Sequence, residues 1–509
     1  MKLYNNSLKW LLHTTLCTAF ITIFFTTTDF INTPIDNVND FFQLLLHWVC
    51  IFISLWCVLL IVSLAQNWVF TIFYTLLTFL SSVLAFYRYT LGFSLNTMIF
   101  DIIFQNDVTI SSEMVTYHTI VWIVLCTAIG VYLARLGRRY SIAYKKNTWV
   151  TVLIAVVVLC FFEKNSRFKN PITKRIPFNI FSVTIDYFSN KQEIHDDRKS
   201  VCTEAYIQQN DSCTVVVVIG EALRAKNLHI NGYHRQTTPY LESLSVVSFD
   251  SIYSEYTYTN KSVPHILTRA DSVHPERAYS ERSFIDVFKI AGYHTCFISN
   301  QDAERPYIYF THEADEYVTV NISKNVYNYE KWLDETTLPE YYNFLSNNSL
   351  HKMVIVHCIG SHWWYNTHFS DDFEIFKPVI KTRFLASCDS MSLVNSYDNT
   401  VVYTDWFLSR IIEPLKEKNA IVLFLSDHGE AQGENGHWLH ASECEEMHHP
   451  ASFVWFSKKF EENNKTKCDQ AKANKHRHFR SDYLYHSVID AAAIETNVLD
   501  TTLSIFRVQ

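Results

Sequence analysis

Beyond about residue 163 this 509-residue chain has no long uncharged run, and before it almost no acid, histidine or proline. A chain this long exceeds one ordinary domain, and the split predicts an apolar membrane domain followed by a polar, soluble one. Positive charge is not in excess either: 43 Lys and Arg stand against 51 Asp and Glu, a formal net charge of −8. Without a broad basic surface, nucleic acid is excluded as a partner. No Cys-x-x-Cys pair occurs among the 12 cysteines, so dithiol redox chemistry is not indicated. Internal repeats and low-complexity tracts are absent as well.

Five apolar stretches, 8–30, 42–64, 68–87, 119–136 and 149–162, approach the roughly 20 residues that a bilayer-spanning helix needs. The first has no small-residue cleavage site and is followed by further spans, so it reads as an anchor rather than a signal peptide. The fifth is short and ends at Glu163 and Lys164. The basic stretch 135–146 (ARLGRRYSIAYKK begins one residue earlier) predicts a cytoplasmic loop between the fourth and fifth spans. Counting back puts Lys2 and Lys9 inside as well; counting forward puts everything after Glu163 outside the cytoplasm. Residues 91–116, amphipathic rather than uniformly apolar, predict a helix lying on the outer membrane surface. The expected organisation is therefore a transmembrane domain over 1–163, a mixed-charge linker over 164–210 and a catalytic domain over 211–509.

Cys17, Cys50, Cys57, Cys126 and Cys160 fall in spans and read as small apolar residues. The remaining cysteines are odd in number, so at least one lacks a partner; Cys202 and Cys213, flanking a short polar loop, are the expected bridge. Cys296 and Cys358 sit in strand-like runs and read as buried thiols.

In the polar part, β-branched runs at 213–219, 294–298, 353–358 and 420–425 alternate with helical patterns such as 283–291 and 399–416. That alternation predicts an α/β sandwich with a largely parallel sheet, with ligands at the C-terminal strand ends. The chain's unusual residues gather at those ends. Glu221 follows the first run, Gly360-Ser361-His362 the third, and Ser426-Asp427-His428-Gly429-Glu430 the fourth, with His440 shortly after. Carboxylates and imidazoles converging from neighbouring strand ends form a donor set that suits a zinc ion. A Thr-rich loop, YTYTNKSVP over 256–264, precedes an apolar helix start. Its hydroxyls fit two roles: capping that helix, or supplying a metal-activated nucleophile.

These segments carry a resemblance. GEALRAKNLHINGYHRQTTPYL (220–241), TNKSVP (259–264), GSHWWY (360–365), NSYDNTVVYTDWFL (395–408), LSDHGEAQGENGHWLH (425–440) and SDYLYHSVID (481–490) resemble the motifs of the lipid A phosphoethanolamine transferases. That group includes the colistin-resistance enzymes and lies within the alkaline phosphatase/sulfatase superfamily. The resemblance covers nearly the whole chain and implies a five-span membrane domain joined to a sulfatase-type α/β domain. It further implies zinc held by Glu221, Thr259, Asp427 and His428, with Thr259 as nucleophile and His362 and His440 contacting the substrate, where a second zinc is left open. It implies a phosphatidylethanolamine donor, a glycolipid acceptor such as lipid A or a core sugar, contact with membrane lipids, and a bacterial inner-membrane location with the catalytic domain in the periplasm.

This chain departs from the family at particular places. Ala222 replaces the usual Thr after the Glu, Trp363-Trp364 replace Gly-Pro after His362, and the loop from Ser299 to Asp302 lacks the family's Gly and Lys. Most of the family's cysteine pairs are missing, including any Cys in the loop after SVP. Two other activities are weighed: a phosphoglycerol transferase of the same superfamily, and a sulfatase or phosphatase. A sulfatase needs Arg two residues after the proline of its C/S-x-P-x-R segment, and Ser262-Val263-Pro264-His265-Ile266 lacks it.

Overall fold

The computed structural model describes residues 2–31, 33–91, 95, 117–136, 146–193, 197–207, 212–301, 309–322, 324, 329–440 and 444–507. It divides into two compact units. One comprises Met1–Gln192, Ser323–Tyr329 and Phe384–Ser387, and the other holds the rest.

The first unit is helical: α1 (Lys2–Phe24), α2 (Val38–Val62), α3 (Asn67–Leu91), α4 (Tyr117–Leu136), α5 (Lys146–Lys164), α6 (Ser166–Thr173) and α7 (Phe178–Glu193). Among the described residues four helices are long and apolar enough to cross a membrane. A fifth arises if α5 and α6, bent by 98° at their junction, are one broken span. The bend follows from Asn165, whose side chain accepts from Arg167 N and starts a new helix. Several polar side chains within the apolar helices find partners inside the bundle. The Thr14, Thr18 and Thr22 hydroxyls donate to carbonyls one turn back, Trp10 Nε1 donates to Ser63 Oγ at 2.8 Å, and Tyr74 OH donates to Cys17 O at 2.9 Å. Most of the expected surface helix at 91–116 and of the basic loop at 135–146 lies outside the described residues. The stretch 164–210, read as a linker, contains α6 and α7, which pack into this unit through Ile172 of α6, Phe178 of α7 and Ile176 between them. Lysines, asparagines and two prolines hide the helical period there.

The second unit is built on a seven-stranded sheet of β1 (Cys213–Gly220), β2 (Val247–Phe249), β3 (His294–Ser299), β4 (Glu316–Thr319), β5 (His351–His357), β6 (Ala420–Ser426) and β7 (Ser452–Phe456). Their spatial order is β2-β7-β6-β1-β5-β3-β4. β7 runs antiparallel to both neighbours, and the other pairings are parallel. All of β1 is buried, as a central strand covered on both faces must be. Val215, Val217 and Ile219, on one face, join a core with Phe284 and Phe288 of α9 (Phe284–Ile290) and Leu484 and Val488 of α11 (Tyr483–Ala491). Two further helices matter for the site, α8 (Thr259–Leu267) and α10 (Ser390–Ile412). α10 starts nine residues before the expected 399, capped by Asp389. Its first turns bury Asn395, Ser396, Tyr397 and Asp398, so a polar buried face masks the apolar period.

Cys202 and Cys213 do not form the expected bridge; none of the 12 cysteines is in a disulfide. Cys202 Sγ lies 3.3 Å from Thr496 Oγ1, and Cys213 faces Tyr293, where burial pushes its thiol up to about 12. The two sulfurs have separate partners in one core.

Candidate active site

β1, β5 and β6 are adjacent and parallel, with Ile219 paired to His357 and Leu425, so three chain segments leave the sheet at one level. Glu221 leaves β1, the Cys358–His362 turn leaves β5, and Asp427 and His428 leave β6. Glu221, Asp427 and His428 have no solvent exposure at all. Thr259 heads α8 from the other side. The N-cap of that helix is Tyr258, in extended conformation and without a side-chain capping bond. The Thr259 hydroxyl therefore does not cap; it donates to Glu221 Oε2 at 2.7 Å.

Glu221 Oε2 also accepts from Gln301 Nε2 at 3.0 Å, which leaves Oε1 facing the imidazole. His428 Nδ1 lies 2.8 Å from Gly429 O, a carbonyl that can only accept, so Nδ1 carries the proton and Nε2 is directed into the cluster. His428 Nε2 is 3.3 Å from Glu221 Oε1 and 3.4 Å from Asp427 Oδ2. Among the described residues, these three buried atoms have no hydrogen-bond partner. Two carboxylate oxygens and an imidazole nitrogen, dry and aimed at each other, are costly without a cation between them. Their types and convergence fit zinc.

The electrostatics point the same way. Burial and the neighbouring Glu221 charge push Asp427 up to about 7. Burial would lower His428, but the Asp427 and Glu221 carboxylates outweigh it and raise the imidazole to about 10. Burial would also raise Glu221, but His428 beside it holds that carboxyl well below the usual range. The pocket thus recruits positive charge where it can.

His440 lies against this group. Its ring centroid is 4.7 Å from that of His428 and 5.5 Å from that of His362. The ligating atoms of Glu221, His428 and His440 all fall within 4.8 Å of one another. His440 Nδ1 is 2.9 Å from Glu430 Oε2, so it donates there and turns Nε2 toward the cluster. Glu430 is itself buried and accepts from Tyr365 OH. His362 is half-buried, and burial lowers its pKa. All six residues singled out in the sequence are therefore linked in one cluster.

Sequence reasoning passed over several of their neighbours. Gln301 stood out only as part of a variant loop, yet it touches Glu221. Glu430 and Tyr365 lie inside quoted motifs without a role. His368, six residues after His362, was not distinguished; its ring centroid is 6.2 Å from that of His362 and burial pushes it down to about 3. Backbone devices hold the set in place. Gly360 has φ +49, and a Cβ there would fall 2.7 Å from Glu221 O. Ala222 has φ 55, and its N–H donates to Asp427 Oδ1 at 3.1 Å while its carbonyl accepts from Tyr397 OH at 2.7 Å. A left-handed alanine hydrogen-bonded between the Glu221 and Asp427 segments is local strain of the kind found at functional sites.

Comparison with known proteins gives the following. The sulfatase family model matches residues 213–494. The phosphoethanolamine transferase EptA of Escherichia coli K12 is 27% identical over 385 residues, covering 71% of this chain and 70% of the relative. Among solved structures, the integral membrane lipooligosaccharide phosphoethanolamine transferase A from Neisseria meningitidis aligns over 97% of this chain and 98% of its own, with TM-score 0.55 and 21% identity. The C-terminal periplasmic domain of EptC from Escherichia coli, solved in complex with Zn, aligns over 61% of this chain and 90% of its own, with TM-score 0.55 and 22% identity.

Proposed function

The chain belongs to the sulfatase family, and on that premise we propose that it is a membrane-anchored, zinc-dependent transferase. It moves phosphoethanolamine from phosphatidylethanolamine to an envelope glycolipid. The observation that carries this reading is the Thr259 hydroxyl hydrogen-bonded to Glu221, beside three buried atoms without a hydrogen-bond partner among the described residues. The curated relative named as a phosphoethanolamine transferase supports the choice of group, and the lipooligosaccharide enzyme supports a glycolipid acceptor. The EptC domain solved with Zn supports the metal.

Glu221, Thr259, Asp427 and His428 would hold the zinc. When bound, it lowers the pKa of an alcohol ligand and offsets charge on phosphoryl oxygens. Thr259 Oγ attacks the phosphorus of phosphatidylethanolamine. The bond from phosphorus to the glycerol oxygen breaks, diacylglycerol leaves, and phosphoethanolamine stays on Thr259. The hydroxyl proton of Thr259 already points at a carboxylate. That proton passes on to the leaving glycerol oxygen, while His362 and His440 face the phosphoryl group and bind its oxygens, with Glu430 holding the His440 ring in one orientation. A phosphate or hydroxyl of the glycolipid then attacks the same phosphorus, the bond from phosphorus to Thr259 Oγ breaks, and Oγ takes up the proton that the acceptor gives up.

Two lipid substrates account for a membrane anchor. The spans belong in the bacterial inner membrane, with the catalytic domain, 211–509, in the periplasm. One zinc per chain is expected from the buried cluster, and metal analysis would read two if His362 and His440 hold a second. The runner-up, phosphoglycerol transfer, differs in its donor. Vesicles of phosphatidylethanolamine or of phosphatidylglycerol, each with lipid A, separate the two. Phosphoethanolamine on the glycolipid from the first vesicles only is the expected product; phosphoglycerol from the second would replace this reading.

A further inference from the structure

His440 stands at the end of a hairpin that is too small to hold it. The two arms, Ala431–Gln432 and Trp438–Leu439, pair over two residues each. A two-stranded hairpin on its own is marginal in water. The position of His440 is therefore set by what grips the hairpin from outside.

Arg224 supplies that grip. It lies three residues after Glu221, beyond the end of β1, and is 7% exposed. Its backbone is fixed from two sides. Arg224 N donates to Tyr397 OH at 2.9 Å, and the next amide, Ala225 N, donates to His449 O at 3.0 Å. From there the guanidinium reaches the hairpin with both of its ends. Nη1 donates to Glu430 O at 3.0 Å, and Nη2 pairs with Glu434 Oε1 at 2.8 Å. Glu434 Oε2 in turn accepts from Gln432 N at 2.6 Å. Burial would raise the Glu434 carboxyl, but the guanidinium beside it holds it below its usual value. One planar fork thus holds the residue before the first arm and the turn after it, which a single ammonium could not do.

The grip passes to His440 through Glu430. Arg224 holds the Glu430 carbonyl, Tyr365 OH donates to its Oε1, and His440 Nδ1 donates to its Oε2 at 2.9 Å. Glu430 has no solvent exposure, so these bonds fix its backbone and side chain together. Glu221 and Arg224 leave β1 in one turn. The Glu221 carboxylate and the His440 imidazole are thereby referenced to the same strand end.

We infer that Arg224 is a positioning residue for the transfer: it sets the distance and angle at which His440 meets the phosphoryl group on Thr259. In this role it acts through Glu430 and the hairpin and touches neither lipid. The inference rests on the transferase reading, in which His440 binds the phosphoryl oxygens.

Epistasis with His440 tests it on the full chain in phosphatidylethanolamine vesicles without acceptor. The rate of phosphoethanolamine loading is followed by intact mass at saturating donor, beside zinc content and melting temperature. Arg224→Met should lower the loading rate by about 10- to 100-fold while zinc content stays that of the parent. Arg224→Lys keeps the charge and one of the two bonds, so its rate should lie between. Glu434→Gln weakens the same grip from the other end and should also slow loading; these two variants carry the test if Arg224→Met does not fold. His440→Ala should itself slow loading, and adding Arg224→Met to it should change the rate by no more than about twofold. An arginine that merely stabilises the fold would instead give losses that multiply. Multiplied losses, zinc lost with Arg224→Met, or a parental rate in Arg224→Met or His440→Ala would overturn the inference and leave phosphoethanolamine transfer standing. No loading in the parent would overturn the transferase reading, and this inference with it.

Discussion

Gln301 and Thr259 donate to the same oxygen, Oε2 of Glu221, at 3.0 and 2.7 Å. That shared acceptor sets the rotation of the carboxylate and leaves Oε1 for the cluster with Asp427 and His428. Gln301 is fixed in turn by its second bond, to Cys358 O at 2.7 Å, so the end of β5 positions a residue of β1's turn through a side chain from β3's.

Replacing Gln301 should therefore act through Glu221. Gln301→Ala is expected to lower zinc affinity or turnover by about 10- to 100-fold, the range seen when an outer partner of a metal ligand is lost. Zinc content by mass spectrometry and turnover on vesicles would read it. Unchanged values in both would mean that Glu221 does not depend on this bond.

Two glycines make a controlled pair. Gly360 and Gly292 both have positive φ, +49 and +87, but a Cβ at Gly360 meets Glu221 backbone at 2.7 Å whereas nothing lies within 4 Å at Gly292. Gly292→Ala should cost about 1 kcal/mol of stability and spare activity. Gly360→Ala must displace Glu221 as well, so metal content and turnover should fall with it. Equal activity in the two variants would contradict the proposed support.

A pH prediction comes from His486, on α11. Burial pushes its pKa down to about 4, and Asp500 N donates to its Nδ1 at 3.1 Å, which requires the neutral ring. The unfolded chain takes up the extra proton between about 6.5 and 4, so the stability tied to the neutral ring is complete above 6.5 and is lost as pH falls through 4. The contribution is at most about 3 kcal/mol. His486→Asn keeps an acceptor and removes the titration, so the melting temperature of the variant should fall less between pH 7 and 4.5 than that of the parent. Parallel melting curves would assign the acid sensitivity elsewhere.

The sheet and the spans were readable in the sequence because both write themselves as uninterrupted apolar runs, VVVVI and IVLFL among them. The buried cluster of Glu221, Asp427 and His428 was readable because these residues lie directly beyond such runs. Gln301 and His368 were not, since nothing local tells a buried amide or imidazole from a loop residue until strand order brings β3 and β5 beside β1. The early start of α10 was hidden by its buried polar side chains, and the free state of Cys202 and Cys213 by the fact that spacing does not give sulfur direction.

The central claim is that Thr259 becomes covalently loaded. Wild-type protein mixed with phosphatidylethanolamine vesicles and no acceptor should show, by intact mass and peptide mapping, one phosphoethanolamine on Thr259. Thr259→Ala should show none while keeping the same helical content and membrane insertion. An adduct that persists on Thr259→Ala, or one that maps to Thr257 or Ser262, would contradict the account.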